Sequence, residues 1–192
     1  EDDTCEDEEE AEYVEEVLAG SVGAEGGAVY VRGNDATFYN VTSINNTAAR
    51  GGSTFIEGDN VKVYDCILDN NRAIFNGTEG SGRGGGIDLA GDNCEVHDLE
   101  VSNNRADAEG GAIYIKSDGL KIYNINSTNN TATLGGSTYI FGDFIEVYDC
   151  ILDGNNATLR GGGLNIYGDN CEVYNVEVSD NNAGTDGGAV YV

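Results

Sequence analysis

The chain has 192 residues, enough for one domain with its own core, and it contains 29 Gly but no Pro, Met or Trp. Its 35 acidic residues against 9 basic ones give a net charge of −26, which disfavours nucleic acid as a partner because phosphate would be repelled. No apolar run approaches the roughly 18 residues that a membrane helix needs, so we expect no membrane span.

Residues 1–25 form an acidic N-terminal segment that differs in composition from the rest of the chain. From Glu6 to Leu18 the residues are good helix formers, and apolar side chains fall on one face, which predicts a short capping helix. Such a cap would cover an otherwise open apolar end. A sharper hypothesis is that the segment docks onto the C-terminal coil of the next molecule.

Residues 26–192 consist of repeats, each opened by a pair of glycines. The first glycines of the pairs are Gly26, Gly51, Gly84, Gly110, Gly135, Gly161 and Gly187. The intervals are 25, 33, 26, 25, 26 and 26 residues, and the long one contains the insertion NGTEGSG at residues 76–82.

The pattern within each repeat predicts the fold class. Apolar and polar residues alternate over short β-branched runs, which indicates three short strands and leaves no room for a helix. One repeat cannot close a core, whereas stacked repeats can. We therefore predict an all-β parallel β-helix, or β-solenoid, in which six coils lie about 4.8 Å apart.

A longer period divides the solenoid into two blocks of three coils. Residues 26–109 open their coils with GGAVYV, GGSTFI and GGGIDL, and residues 110–186 open theirs with GGAIYI, GGSTYI and GGGLNI. Residues 187–192 start a further coil. We expect its strand to be either an edge for another molecule or the point where a longer protein continues.

One column of the repeat is always Asn. Its members are Asn46, Asn71, Asn104, Asn130, Asn155 and Asn181. In a stacked solenoid their amides can bond to one another along the rod, which satisfies polar groups buried at a turn. An invariant Ala two residues later marks a narrow part of the coil.

A second column carries aromatic side chains on the outside. Its members are Tyr39, Tyr64, His97, Tyr123, Tyr148 and Tyr174, and a neighbouring outward column holds Tyr30, Phe55, Tyr114, Tyr139 and Tyr191. Aromatic stacks stabilise a sheet exterior. The alternative is a lateral contact stripe or a platform for sugar rings.

Four of the 5 Cys occupy inward columns. Bridges Cys66–Cys94 and Cys150–Cys171 are candidates if the corner between the columns is tight. Otherwise all four are small buried hydrophobic residues. Cys5, the odd one, is a candidate for an intermolecular bond.

Two kinds of ligand or modification are also suggested by the sequence. The sequons begin at Asn40, Asn45, Asn76, Asn126, Asn129 and Asn156 and are candidate glycosylation sites. Stacked carboxylates at the turn of Asp59, Asp92, Asp118, Asp143 and Asp169 could bind Ca²⁺. The calcium nonapeptide of other solenoids is absent, so we expect solvated turns and no cofactor.

The repeats resemble the adhesin-like repeat proteins of methanogenic archaea and the polymorphic outer-membrane repeats of some bacteria. The resemblance rests on NNTAARGG (45–52), NNRADAEGGAIYI (103–115), NNTATLGG (129–136) and NNAGTDGGAVYV (181–192). It implies a right-handed β-helix and an extracellular, cell-surface location. The chain lacks the FxxN of the bacterial pattern and any membrane-barrel segment, which favours the archaeal comparison.

Three functions are considered. The first is a non-catalytic extracellular structural protein that assembles end to end with itself into a filament, stalk or sheath. The second is an adhesin stalk that binds glycans or other surface proteins through the tyrosine column. The third, a polysaccharide lyase or hydrolase, is disfavoured because no GHG, NTD or RxK cluster occurs and an acidic rod repels a polyuronate.

Overall fold

The computed structural model describes residues 25–192. The expected capping helix and Cys5 therefore lie outside the described residues. Within the described part every regular element is a β-strand, and no helix long and apolar enough to cross a membrane is found there.

Twenty-two strands follow one another along the six coils and the start of a seventh. The first block contains β1 Val29–Arg32, β2 Thr37–Tyr39, β3 Thr42–Ile44, β4 Thr47–Ala48, β5 Thr54–Glu57, β6 Lys62–Asp69, β7 Arg72–Ala73, β8 Ile87–Ala90, β9 Glu95–Ser102 and β10 Arg105–Ala106. The second block and the last strand contain β11 Ile113–Lys116, β12 Lys121–Thr128, β13 Thr131–Leu134, β14 Thr138–Phe141, β15 Glu146–Tyr148, β16 Ile151–Asp153, β17 Asn156–Arg160, β18 Leu164–Tyr167, β19 Glu172–Tyr174, β20 Glu177–Ser179, β21 Asn182–Ala183 and β22 Val190–Tyr191.

The strands form three parallel sheets that run the length of the rod, which confirms the predicted β-solenoid. The first sheet has the order β1-β5-β8-β11-β14-β18-β22, and the third has β4-β7-β10-β13-β17-β21. The second sheet joins β2, β6, β9, β12, β15 and β19, with β3, β16 and β20 alongside. Equivalent residues pair in register from coil to coil, as Val63 does with Val96 and Val96 with Ile122.

The prediction of three strands per coil holds in coils two to four and needs correction elsewhere. In those coils the second strand is one bent segment of 8 residues, β6, β9 or β12. In coils one, five and six the same stretch is divided into two strands. The bend falls at a residue with positive φ in every coil, such as Asn40 (56°) and Asp149 (53°) where the strand is divided and Asp65 (53°) where it is not, a conformation that Asn and Asp tolerate.

The inward columns make one continuous core along the rod. Ile56, Leu89, Ile115 and Ile140 are fully buried and stack through the first sheet. The glycine pair permits this stacking, because a Cβ on Gly85 would lie 2.0 Å from the carbonyl oxygen of Gly111. Each coil therefore approaches the next more closely at this turn than any side chain would allow.

Candidate functional site

The six Asn of the invariant column form a hydrogen-bonded file, which we call the Asn ladder. The Oδ1 atom of Asn130 accepts from the backbone N–H of Asn104 at 2.8 Å and from its Nδ2 at 3.1 Å. The remaining amide hydrogen of Asn104 goes to the carbonyl oxygen of Leu68 at 2.8 Å. Asn71, Asn104, Asn130 and Asn155 are at most 1% exposed, so each buried amide is fully satisfied.

The Asn ladder has a direction. Every member from Asn46 to Asn155 donates to the member on the following coil, and every member from Asn71 to Asn181 accepts from the one before. The same two bonds recur at each step, with lengths between 2.8 and 3.1 Å. An incoming coil with an Asn in register would extend it without any change of geometry.

The outward aromatic column is a continuous ring stack, formed by Tyr39, Tyr64, His97, Tyr123, Tyr148 and Tyr174. Successive ring centroids lie 5.2, 5.1, 4.6, 4.9 and 5.1 Å apart, and the ring planes are within 12° of parallel. The faces of the inner rings are therefore covered by their neighbours. Only ring edges and polar groups are presented sideways to a partner.

Polar groups at the edge of the ring stack bond to neighbouring carboxylates. The Tyr123 hydroxyl donates to Glu95 Oε1 at 2.9 Å, and desolvation together with this bond raises the pKa of Tyr123 to about 12. His97 Nδ1 lies 2.7 Å from Asp98 Oδ2, and this contact lowers the pKa of the Asp98 carboxyl.

The second aromatic column, on the first sheet, is not exposed as the sequence suggested. Phe55 and Tyr114 are only 2% and 4% exposed, because guanidinium groups lie over their rings. The Arg50 guanidinium carbon is 3.9 Å from the Phe55 centroid, and that of Arg83 is 4.8 Å from the Tyr114 centroid. Sequence reasoning missed this cover because Arg50 belongs to the turn before the Phe55 strand, and Arg83 belongs to the turn before β8, on the coil before that of Tyr114.

Between these rings lies Asp88, a buried carboxylate that the sequence analysis did not single out. It is 0% exposed, its Oδ2 accepts from Arg50 Nε at 3.0 Å, and its Oδ1 has no hydrogen-bond partner among the described residues. Burial raises the pKa of Asp88 to about 6, while Arg50 and Arg83 act in the opposite direction. The inserted loop, residues 76–82, passes over both arginines at Gly80.

The Asp turn column also stacks as expected, and its carboxylates bond to backbone. The Oδ1 atoms of Asp59, Asp92, Asp118 and Asp143 each accept from the backbone N–H of the next member, for example Asp118 from Asp143 at 2.9 Å and Asp143 from Asp169 at 2.7 Å. In the described part of the chain no three His, Cys, Asp or Glu side chains are grouped so as to hold a metal ion.

The two candidate disulfides are not formed, and the four described cysteines are free thiols. Cys66 shares an inward column with its strand partner Leu99, and Cys94 lies in a different inward column. The column of the paired Val63 and Val96 separates the two. Cys66 and Cys150 are 1% and 2% exposed, and burial raises the pKa of each thiol to about 11. These two side chains pack as small hydrophobic residues.

Five of the six sequon asparagines are exposed, and Asn156 is half-buried. Asn76 lies in the inserted loop, where its Oδ1 accepts from the Thr78 hydroxyl at 2.6 Å. Asn45 and Asn70 are bonded to one another in an exposed file beside the Asn ladder. The candidate glycosylation sites therefore lie on several sides of the coil.

Comparison with known proteins gives one family match. Residues 98–116 match the model of the Chlamydia polymorphic membrane protein repeat. This stretch is shorter than one coil and includes Asn104, Ala106 and the glycine pair at Gly110. No curated protein and no solved structure matches the chain.

Proposed function

We propose that this chain is a non-catalytic extracellular structural protein whose solenoid rods join end to end into a cell-surface filament, stalk or sheath. The parallel β-solenoid and the polymorphic membrane protein repeat fit a surface-exposed, adhesin-like repeat protein. The observation that carries the finer proposal is the directional Asn ladder, whose bonds are the same at every step. A coil supplied by another molecule would continue it as well as a coil of the same chain.

Burial at such a junction would drive the assembly. An added coil covers the apolar columns, and each Å² of apolar surface removed from water stabilises the junction by roughly 25 cal/mol. It also gives hydrogen-bond partners to edge amides. The head-to-tail contact expected between the N-terminal segment and the C-terminal coil belongs to this proposal. Both partners are acidic, since coil six carries Asp169, Glu172, Glu177 and Asp180. Assembly should therefore strengthen as salt screens their repulsion.

Electron microscopy and sedimentation of the purified chain over a range of NaCl concentrations test the proposal. We expect short rods at low salt and filaments at about 0.15 M and above, where the Debye length is about 8 Å. Rods that remain single at every salt concentration would contradict it.

The variant Asn181→Asp directs the test to the Asn ladder. Its Oδ1 still accepts from Asn155, but the loss of Nδ2 removes the bond to the Leu152 carbonyl oxygen and places a carboxylate against the acceptor of the incoming coil. We expect folded rods that do not assemble. Asn182→Asp, an exposed neighbour with the same change in charge, is the matched control and should still assemble.

A second candidate function is partner binding along the side of the rod, as in an adhesin stalk. The covered ring faces of the ring stack make it a poor platform for sugar rings. Three exposed aromatic side chains at a different turn, Phe141, Phe144 and Tyr167, favour this function.

A further inference from the structure

The inserted loop, residues 76–82, contains the sequon formed by Asn76, Gly77 and Thr78. The loop connects the third sheet to the first sheet on coil two, between β7 and β8. Asn76 and Thr78 are exposed, and a Cβ on Gly77 would meet no atom within 4 Å. This sequon therefore lies in open space at the side of the coil and outside the stacked strands.

The sequon can move without disturbing the coils, because its hydrogen bonds stay within the loop. Ser81 closes the loop, since its Oγ donates to the carbonyl oxygen of Thr78 at 2.7 Å and accepts from the backbone N–H of Asn76 at 3.3 Å. Gly82 anchors the loop through backbone bonds of 2.6 Å and 2.9 Å to coils one and three. Among the described residues, those at positions 76–81 form no hydrogen bond with another coil.

The other five sequons belong to the stacked coils. In four of them the backbone N–H of the acceptor donates to a carbonyl oxygen of an adjacent coil at 2.9 to 3.3 Å, and these acceptors are Asn40, Asn45, Asn129 and Asn156. The fifth, Asn126, lies inside β12, which pairs with the coils on both sides. An enzyme that draws one of these five into its active site has to break bonds between coils, which costs the free energy of local opening.

The loop sequon is also the one whose two required side chains already meet. The Oδ1 atom of Asn76 accepts from the backbone N–H of Thr78 at 3.0 Å and from its hydroxyl at 2.6 Å, in a local turn typical of Asn. The Nδ2 atom of Asn76, which is the atom that carries the sugar in N-glycosylation, donates to no described residue. At the other five sequons no hydrogen bond joins the Thr to its Asn within the described part of the chain.

We propose that Asn76 is an N-glycosylation site, and that among the six sequons it is the one that the folded rod offers to an oligosaccharyltransferase. The donor is an oligosaccharide joined through phosphate to a polyprenol lipid. The Nδ2 atom of Asn76 forms a bond to C1 of the first sugar as the bond from C1 to the phosphate oxygen breaks. The amide proton passes to a carboxylate of the enzyme, and the lipid phosphate leaves. The proposal needs an extracellular chain, as the proposed function does, but it does not depend on end-to-end assembly.

In vitro glycosylation of the folded chain tests the proposal. The full chain, produced in a host without this pathway, is incubated with a single-subunit oligosaccharyltransferase and a lipid-linked oligosaccharide, and the modified positions are mapped by mass spectrometry. Six synthetic peptides, one for each sequon, measure the sequence preference of the enzyme, and each rate on the folded chain is divided by the rate on its peptide. We expect this ratio to be at least about tenfold higher at Asn76 than at any other sequon, because the others require a coil to open.

Two substitutions direct the test to the loop. Asn76→Gln removes the acceptor without changing charge and should lower the total glycosylation of the folded chain at least about tenfold. Asn126→Gln, the same change at an exposed sequon inside β12, is the matched control and should leave the total unchanged. A ratio at Asn76 no higher than at Asn126, or an undiminished total for Asn76→Gln, would overturn the proposal.

Sedimentation of the same samples keeps this proposal apart from end-to-end assembly. Filaments of a chain that is not modified at Asn76 would overturn the glycosylation site alone. Single rods that are modified at Asn76 would support the site and contradict assembly alone.

Discussion

The third coils of the two blocks solve the same packing problem in different ways. In the first block Asp88 is buried with Arg50 beneath an inserted loop. At the equivalent positions of the second block the residues are Asn165, 3% exposed, and the half-buried Leu134, with no insertion. The backbone register is the same in both, since β8 pairs with β11 as β18 does with β22.

The two blocks share the hydrogen bonds that shape each coil. Ser43 and Ser53 bond at 2.5 Å in the first block, and Ser127 and Ser137 bond at 2.5 Å in the second. The Asn ladder passes through both without interruption. Glycine pairs, Asn and inward apolar columns therefore specify the stack, whereas the outer face of the first sheet accepts either an ion pair or neutral residues.

The largest effect is expected where the blocks should behave alike. Asn71→Ala and Asn155→Ala each remove a buried acceptor of two hydrogen bonds and leave donors on the preceding coil unsatisfied. We expect each to lower the free energy of unfolding by about 3–5 kcal/mol. Urea denaturation of both variants checks this. A difference of more than about 1 kcal/mol between them would show that the two blocks are not equivalent.

Arg50→Leu gives the first block the side chain of the second without changing Asp88. The buried carboxylate then loses its nearest cation, and we expect a loss of about 3 kcal/mol at pH 7, because breaking a buried pair leaves a charge uncompensated. Adding Asp88→Asn should recover most of it. Denaturation of the two single variants and the double variant measures the coupling, and a double variant as unstable as Arg50→Leu would contradict the account.

Asp88→Asn alone tests the pH dependence. The pKa of Asp88 is raised from 3.8 to about 6, so the folded state holds this proton more tightly than the unfolded state. The contribution of this proton to the free energy of unfolding is fully present below pH 3.8 and is lost as pH rises through about 6. Relative to the variant, the wild type should therefore lose about 2–3 kcal/mol between pH 4 and pH 7. If the unfolding free energies of the two proteins change in parallel between pH 4 and pH 7, Asp88 does not have a raised pKa.

The smallest effect is expected at His97, whose equivalent in the second block is Tyr174. His97→Tyr completes the ring stack with tyrosine but removes the contact with Asp98. These changes oppose one another, and we expect the unfolding free energy to move by less than about 1 kcal/mol. Thermal denaturation measures the shift, and a large destabilisation would mean that the imidazole has a specific role in the first block.

The repeated features of this protein could be predicted because each was present six times. The Asn ladder needed only the spacing of Asn46, Asn71 and Asn104 and the assumption of stacking. The core followed in the same way from alternating apolar residues.

Features that occur once could not be predicted in this way. Arg50 and Asp88 are 38 residues apart, and nothing in a single repeat indicates that they meet. The burial of Phe55 depends on a side chain from the preceding turn. Phe144 left a signal, since it replaces the Asn or Gly found at most of its column, but its exposure required the structure.

Solution NMR of the Asn side-chain amides tests the stacking of the coils most directly. The account predicts nuclear Overhauser contacts from Asn71 to Asn104 and from Asn104 to Asn130, with slow hydrogen exchange at all three buried amides. The amide of Asn34, which is exposed and whose Nδ2 donates no hydrogen bond among the described residues, should exchange rapidly and serves as the internal control. Rapid exchange at Asn104 with no contact to either neighbour would contradict the Asn ladder and the assembly built on it.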